Sequence, residues 1–243
     1  GFGLFYYLVN SHEKGKDMAS IKICEGADIF TALSHVDTKS QNRKVGNVAQ
    51  TWHLTDEKPS QAYTKGNDEL ICFDCNLRSK ASGGNGGCYL VVIHGPDGVW
   101  RGTHDKKVSS IPEKINKPIR FGAYGEPVTM SLSLMKRLAS VSKGHLGYTH
   151  QWQKVNKGYA KYLMASIDPG MGDTVKLKAK AKKKGYRTFR VLAEGELPMA
   201  DEVMCPYYTH GVQCDTCGLC AGNTSKAKNI TAPAHGTNKA AIG

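Results

Sequence analysis

From residue 119 onward, short apolar runs alternate with longer segments of helical period. Runs at 119–124, 146–150, 163–167 and 187–192 read as strands, and the segments 130–141, 155–162 and 173–184 between them read as helices. Strands spaced by helices in this way predict parallel pairing through crossover connections. The first part of the chain is less regular. Strand-like runs stand at 4–9 and 48–54, a polar stretch at 37–47 reads as a loop, and 230–235 can add a last strand. The expected fold class is α/β, a partial (β/α) barrel-like parallel sheet with a cysteine-rich C-terminal tail. Residues 1–198 form the β/α domain, including a cysteine loop at 72–88, and 199–243 form a metal-binding tail packed on the same domain.

The strand-like runs end in polar groups: Tyr124-Gly125-Glu126-Pro127, His150-Gln151-Trp152, Asp168-Pro169-Gly170 and, a little beyond the last, Glu194. Parallel sheets and β/α barrels bind ligands at the carboxyl ends of their strands. Tyr148, His150, Asp168 and Arg190 are therefore expected to line a substrate pocket on one face. Each also has a structural reading: Asp168 as a turn residue before Pro169, Arg190 as an ion-pair partner, His150 as a hydrogen-bonded turn residue.

Seven of the eight cysteines fall into two groups. Cys72-Phe73-Asp74-Cys75 is a C-x2-C knuckle, in which a tight turn brings two thiolates to one metal, and Cys88 follows a glycine-rich loop. Cys214, Cys217 and Cys220 make two overlapping knuckles, which Cys205 beside Pro206 completes to four thiolates. Overlapping C-x2-C-x2-C favours an iron–sulfur cluster, and zinc is the alternative. The first group is one ligand short. Either its fourth position is open to a substrate or cofactor, or Cys24, His94 or His104 fills it. Cys24 on its own reads most simply as a small buried hydrophobe.

At 243 residues the chain is long enough to bury a core without disulfide staples, and close C-x2-C pairs in a chain of this size point to metal chemistry in a reducing compartment. A cytoplasmic protein is expected. The apolar run at 1–9 is too short to span a bilayer, so no membrane partner is expected. A net charge of +12 favours polyanions, and much of it is concentrated in Lys176, Lys178, Lys180, Lys182, Lys183, Lys184 and Arg187. That run reads as a solvated helix face or as a surface for nucleic acid or a nucleotide.

Several of these motifs together resemble an uncharacterised family of tailed-bacteriophage proteins, over about 28–235: Gln50-Thr51-Trp52, Ile71-Cys72 through Cys75, Gly87-Cys88-Tyr89, Val99-Trp100-Arg101, Arg120 through Pro127, Gly147 through Trp152, Met164 through Asp168, Arg187 through Val191, Cys205-Pro206 and the terminal cysteine run. The resemblance implies the cytoplasm of an infected bacterial host and names no activity. A cysteine loop, a strand ending in Gly-Glu-Pro, further β/α units and a terminal four-cysteine group also resemble, more distantly, the radical S-adenosylmethionine enzymes. That resemblance implies a 4Fe–4S cluster on Cys72, Cys75 and Cys88, S-adenosylmethionine as cofactor with Gly125 and Glu126 at its amino group, and a second cluster at the terminal cysteines. The spacing here is C-x2-C-x12-C, where that superfamily usually has C-x3-C-x2-C, so the cluster geometry does not carry over. The competing reading is a zinc-stabilised nucleic-acid-binding protein of phage replication or host takeover, with Trp52, Trp100 and Trp152 stacking on bases.

Overall fold

The computed structural model describes residues 20–40, 42–236 and 238–241, so the strand expected at 4–9 lies outside the described residues. Strands β1 (Ser20–Glu25) and β2 (Ile29–Ser34) form an antiparallel hairpin, and β3 (Ala49–Thr55) pairs antiparallel with β2. A long connection then carries helices α1 (Pro59–Lys65), α2 (Glu69–Cys72) and α3 (Gly95–Thr103). Next come β4 (Ile119–Tyr124), α4 (Leu132–Val141), β5 (His145–Thr149), β6 (Met164–Ile167), α5 (Thr174–Lys183) and β7 (Thr188–Leu192). The chain closes with β8 (Glu202–Met204), α6 (Pro206–His210), α7 (Cys214–Cys217) and β9 (Asn229–Pro233).

All nine strands join one sheet in the order β1-β2-β3-β4-β5-β6-β7-β9-β8, parallel from β3 onward. The α/β expectation holds. Among the described residues no pairing joins β1 to β8, so the sheet stays open and no barrel closes. The tail is also more than an appendage, because β9 inserts between β7 and β8 and completes the sheet.

Alternation along each strand sorts the side chains into two layers. Ile119, Phe121 and Ala165 pack with Leu134, Met135 and Leu138 of α4 and Ala181 of α5. On the opposite face Trp52 and Leu54 pack against Val99 and Trp100 of α3, and Met164, Phe189 and Ile230 pack against Cys205, Tyr207 and Tyr208 of the tail. Helices α4 and α5 begin at side-chain caps: the Ser131 hydroxyl accepts from Leu134 N, and the Asp173 carboxylate accepts from Lys176 N. The segment 155–162 is a correction. It contains one 3-10 turn, Lys157–Lys161, preceded by another at Gln151–Gln153, and no α-helix. No helix among the described residues is long and apolar enough to cross a membrane.

His53 of β3 is fully enclosed, sharing a 3.1 Å hydrogen bond between its Nδ1 and Thr31 Oγ1, and burial pushes its pKa down to about 3. It is neutral in the folded chain at pH 5 and charged in the unfolded one. Stability present above pH 6.5 is therefore lost as pH falls from there toward 3, by about 2 kcal/mol between pH 7 and pH 5. Urea unfolding across that range should show the loss, and His53→Gln should flatten it.

Candidate metal centre

The first knuckle is fastened to the carboxyl ends of three parallel strands. Glu126 N, just beyond β4, donates to Ile71 O at 2.7 Å; Lys154 Nζ, beyond β5, reaches Asp74 Oδ2 at 2.5 Å; Asn76 Nδ2 donates to Pro169 O, beyond β6, at 3.2 Å. Cys75 and Leu77 also pack with Cys72, Cys88, Val191 of β7 and Ala234 beyond β9. Inside the knuckle Cys75 N donates to Cys72 O at 3.0 Å, across a turn in which Phe73 adopts φ 52° and ψ −123°. That is a conformation suited to glycine, and strain of this kind concentrates at functional sites.

Three strand-end residues meet beside Cys75. His150 is bracketed by carboxylates, Nδ1 at 2.5 Å from Glu126 Oε1 and Nε2 at 2.9 Å from Asp168 Oδ2. Glu126 accepts further hydrogen bonds from Thr149 Oγ1 at 2.5 Å and His150 N at 3.0 Å. Burial opposes charge on the imidazole, but Cys75 and the carboxylates of Asp168 and Glu126 outweigh it and hold His150 well above its ordinary pKa. Cys75 Sγ, one Glu126 oxygen and one His150 nitrogen lie within 4.8 Å of one another, a group whose donor types and spacing can hold a metal ion. A cavity of about 310 Å³ opens beside Cys75 and His150, with Asn76, Gln151, Met171 and Lys180 on its wall.

Gly125 belongs to the backbone of this arrangement. Its φ is +70°, and a Cβ there would stand 2.8 Å from His53 Cβ and 3.0 Å from His53 O. Gly125→Ala should cost about 2–3 kcal/mol in urea unfolding, from strain and overlap together.

Several of the cysteine thiols are raised by burial and by one another. Burial raises the Cys72 thiol well above its usual range, reinforced by Cys88 and Cys75, and raises Cys88 to about 11. In the second group burial raises Cys220 to about 12, with Cys214, Cys205 and Cys217 adding to it, and Cys214 is raised in the same way. None of the eight cysteines forms a disulfide. Thiols become thiolates when a cation joins them, and thiolate donors are of the type that soft metals take. In the second group Cys214 N donates to Lys44 O at 3.0 Å ahead of β3, Gly147 N in the middle of β5 donates to Cys220 O at 3.2 Å, and Cys205 directly follows β8.

Other expected site residues are placed differently. Tyr148 points to the tail-covered face, where its hydroxyl meets Tyr89 Oη at 3.0 Å and its ring stacks on Phe189 at 4.6 Å. Arg190 lies inside β7, on the helix-covered face, and its donors are taken by Glu202 (2.7 Å from Nη2), Glu196 and Leu197 O, so it is a structural ion-pair residue. His104 stacks on Trp100 at 4.2 Å and bonds Asp105, and Cys24 packs on the main core; neither completes the first group. The neighbours that do arrive are Glu126 and His150.

The cationic run is largely consumed by the fold. Lys178 Nζ contacts Asp201 at 2.5 Å and Glu202 at 2.9 Å, Lys180 contacts Gln153 at 2.5 Å, Lys184 donates to Gln153 O, and Lys176 lies 3.7 Å from Asp173. Arg187 donates to Leu219 O, Gly222 O and Lys228 O, clasping the tail. Lys176, Lys180, Lys182 and Lys183 are exposed. Trp52, Trp100 and Trp152 each donate their indole N–H within the fold, to Ser34, Thr55 and Ser166. Trp52 and Trp152 are buried, and the Trp100 ring is stacked on His104.

No family model, curated protein or solved structure matches this chain.

Proposed function

We propose that this chain is a phage-encoded iron–sulfur enzyme of the radical S-adenosylmethionine type, working in the cytoplasm of the infected host. The observation that carries the reading is the mounting of Cys72, Cys75 and Cys88 over the carboxyl ends of parallel strands, with Glu126, His150, Asp168 and a cavity beside them. Ligand chemistry concentrates there in β/α proteins.

The overlapping C-x2-C-x2-C spacing of the second group supports a cluster over a single zinc ion. Among the described residues, the ligand-type atoms within 4.8 Å of one another belong to Cys75, Glu126 and His150.

Cys72, Cys75 and Cys88 would hold the catalytic cluster, and Cys205, Cys214, Cys217 and Cys220 the second. Bound at the first group, the cluster supplies the electron that cleaves S-adenosylmethionine. The chain's own residues set the surroundings: Thr149 and His150 orient the Glu126 carboxylate, Asp168 fixes the far side of the imidazole, and the cavity beside Cys75 admits the substrate. Lys154, paired with Asp74, and Lys180, bonded to Gln153, line this cavity.

Anaerobic purification followed by iron, sulfide and zinc analysis tests the reading, together with dithionite-driven formation of 5′-deoxyadenosine from S-adenosylmethionine. A brown protein that forms the product, and loses that activity in Cys75→Ala, is the expected result. A colourless chain with stoichiometric zinc would overturn it.

A further inference from the structure

Cys75, Glu126 and His150 reach one point from three separate segments. Cys75 ends the knuckle after α2, Glu126 lies beyond β4 and His150 beyond β5, and one ligand-type atom of each lies within 4.8 Å of the others. The imidazole needs no thiol there. Its Nδ1 is held by Glu126 Oε1 at 2.5 Å and its Nε2 by Asp168 Oδ2 at 2.9 Å, so carboxylates satisfy both ring nitrogens. A buried thiol at the third corner adds nothing to that ion pair, but it completes a donor set of sulfur, nitrogen and oxygen.

The surroundings repeat the pattern found around ligated metals. A metal-bound imidazole usually donates its remaining ring N–H to a carboxylate, and a metal-bound carboxylate is itself hydrogen-bonded. Here Asp168 receives Nε2, and Ser166 Oγ in turn donates to Asp168 Oδ1 at 3.3 Å. Glu126 accepts from Thr149 Oγ1 at 2.5 Å and from His150 N at 3.0 Å. Tetrahedral bonds of about 2.0–2.3 Å place donors about 3.3–3.6 Å apart, so Nδ1 and Oε1 need to part by only about 1 Å. Cys75 and His150 also line the cavity of about 310 Å³, which leaves a fourth position for water or an oxygen ligand.

We infer that Cys75, Glu126 and His150 bind a single divalent ion of the zinc class, with Asp168 as the outer carboxylate that fixes the imidazole. One thiolate, one imidazole and one carboxylate suit zinc, cobalt or ferrous iron better than magnesium or calcium, which take oxygen ligands. On binding, the thiol proton and the Nδ1 proton leave to solvent as the ion takes their places. This site goes beyond the iron–sulfur reading and does not rest on it. Cys75 is common to both, so the ion occupies chains whose first cluster is absent.

Cobalt(II) titrated into the full-length, reduced and metal-free chain tests this, read by its visible d–d bands and its thiolate-to-cobalt charge-transfer band. One bound ion should be lost in Cys75→Ser, and the same ion in His150→Gln and in Glu126→Gln, while Cys72→Ser and Cys88→Ser keep it. Asp168→Asn should keep the spectrum but weaken binding about 10–100-fold, and Asp168→Glu should recover part of the affinity. Absence of any Cys75-dependent ion overturns the site. So does its equal loss in Cys72→Ser and Cys88→Ser, which would make the three cysteines the ligand set, or its retention in both His150→Gln and Glu126→Gln. Should those two variants fail to fold, cadmium NMR of the unaltered chain decides, because an ion with one thiolate resonates far upfield of an ion with three or four; signals of the latter kind alone overturn the site. A chain that purifies with iron and sulfide but binds no such cobalt ion loses this site only. A chain that binds the cobalt yet yields no iron on anaerobic purification loses only the iron–sulfur reading.

Discussion

His150→Leu should lower the unfolding free energy by about 3–5 kcal/mol at pH 7, the usual cost of breaking a buried ion pair from one side. The leucine would leave Glu126 and Asp168 facing each other without the imidazolium that both now bond, at 2.5 and 2.9 Å. Because the folded-state pKa of His150 is raised, its contribution is complete below pH 6.5 and is lost as pH rises through the folded value, so pH 7 lies within the stabilised window. Urea unfolding of the metal-free protein at pH 7 measures this. A deficit under about 1 kcal/mol at pH 7 would mean that the imidazole is not the charge holding the strand ends together.

Glu202→Gln should be comparably damaging for a different reason. Its side chain has no exposed surface and receives Arg190 Nη2 at 2.7 Å, Arg190 Nε at 3.0 Å, Lys178 Nζ at 2.9 Å and Met199 N at 2.9 Å. An amide cannot accept from all of these, and the 2%-exposed guanidinium would lose its main counter-ion. A loss of about 3–5 kcal/mol corresponds to a fall of about 6–20 °C in melting temperature for a chain of this size. Burial works against the Glu202 charge, but Arg190 and Lys178 outweigh it and lower its pKa. Its stabilisation is therefore present above about pH 4.5 and disappears as pH falls through the lowered folded value. The variant should thus lack the steepest part of the acid limb, while the earlier decline set by His53 between pH 6.5 and 5 persists.

The regular half of the chain was legible because its physics is local. Apolar runs marked β4 through β7, and the helical-period segments between them marked α4 and α5. The first hairpin was not legible. Lys22 interrupts the apolar run of β1, and only the fold reveals that its ammonium is satisfied by Glu25 at 2.6 Å and His104 O at 2.7 Å. The convergence of Glu126, His150 and Asp168 could be anticipated from their position just past strand ends. Arg190 and Tyr148 misled because they lie inside their strands, where the side-chain direction depends on register, and they face opposite layers.

The order of strands at the far edge of the sheet also governs when the molecule can finish folding. During synthesis β8 emerges before β9 but cannot pair with β7, since β9 must occupy the place between them. The edge of β7 therefore stays uncovered until the ribosome has released residues through Pro233, an interval in which an open strand can recruit other chains. Cys205 through Cys220 emerge within that interval. Metal capture by these thiolates before β9 arrives would shorten the loop that the last strand must close, tying metal supply in the cell to the yield of native chain.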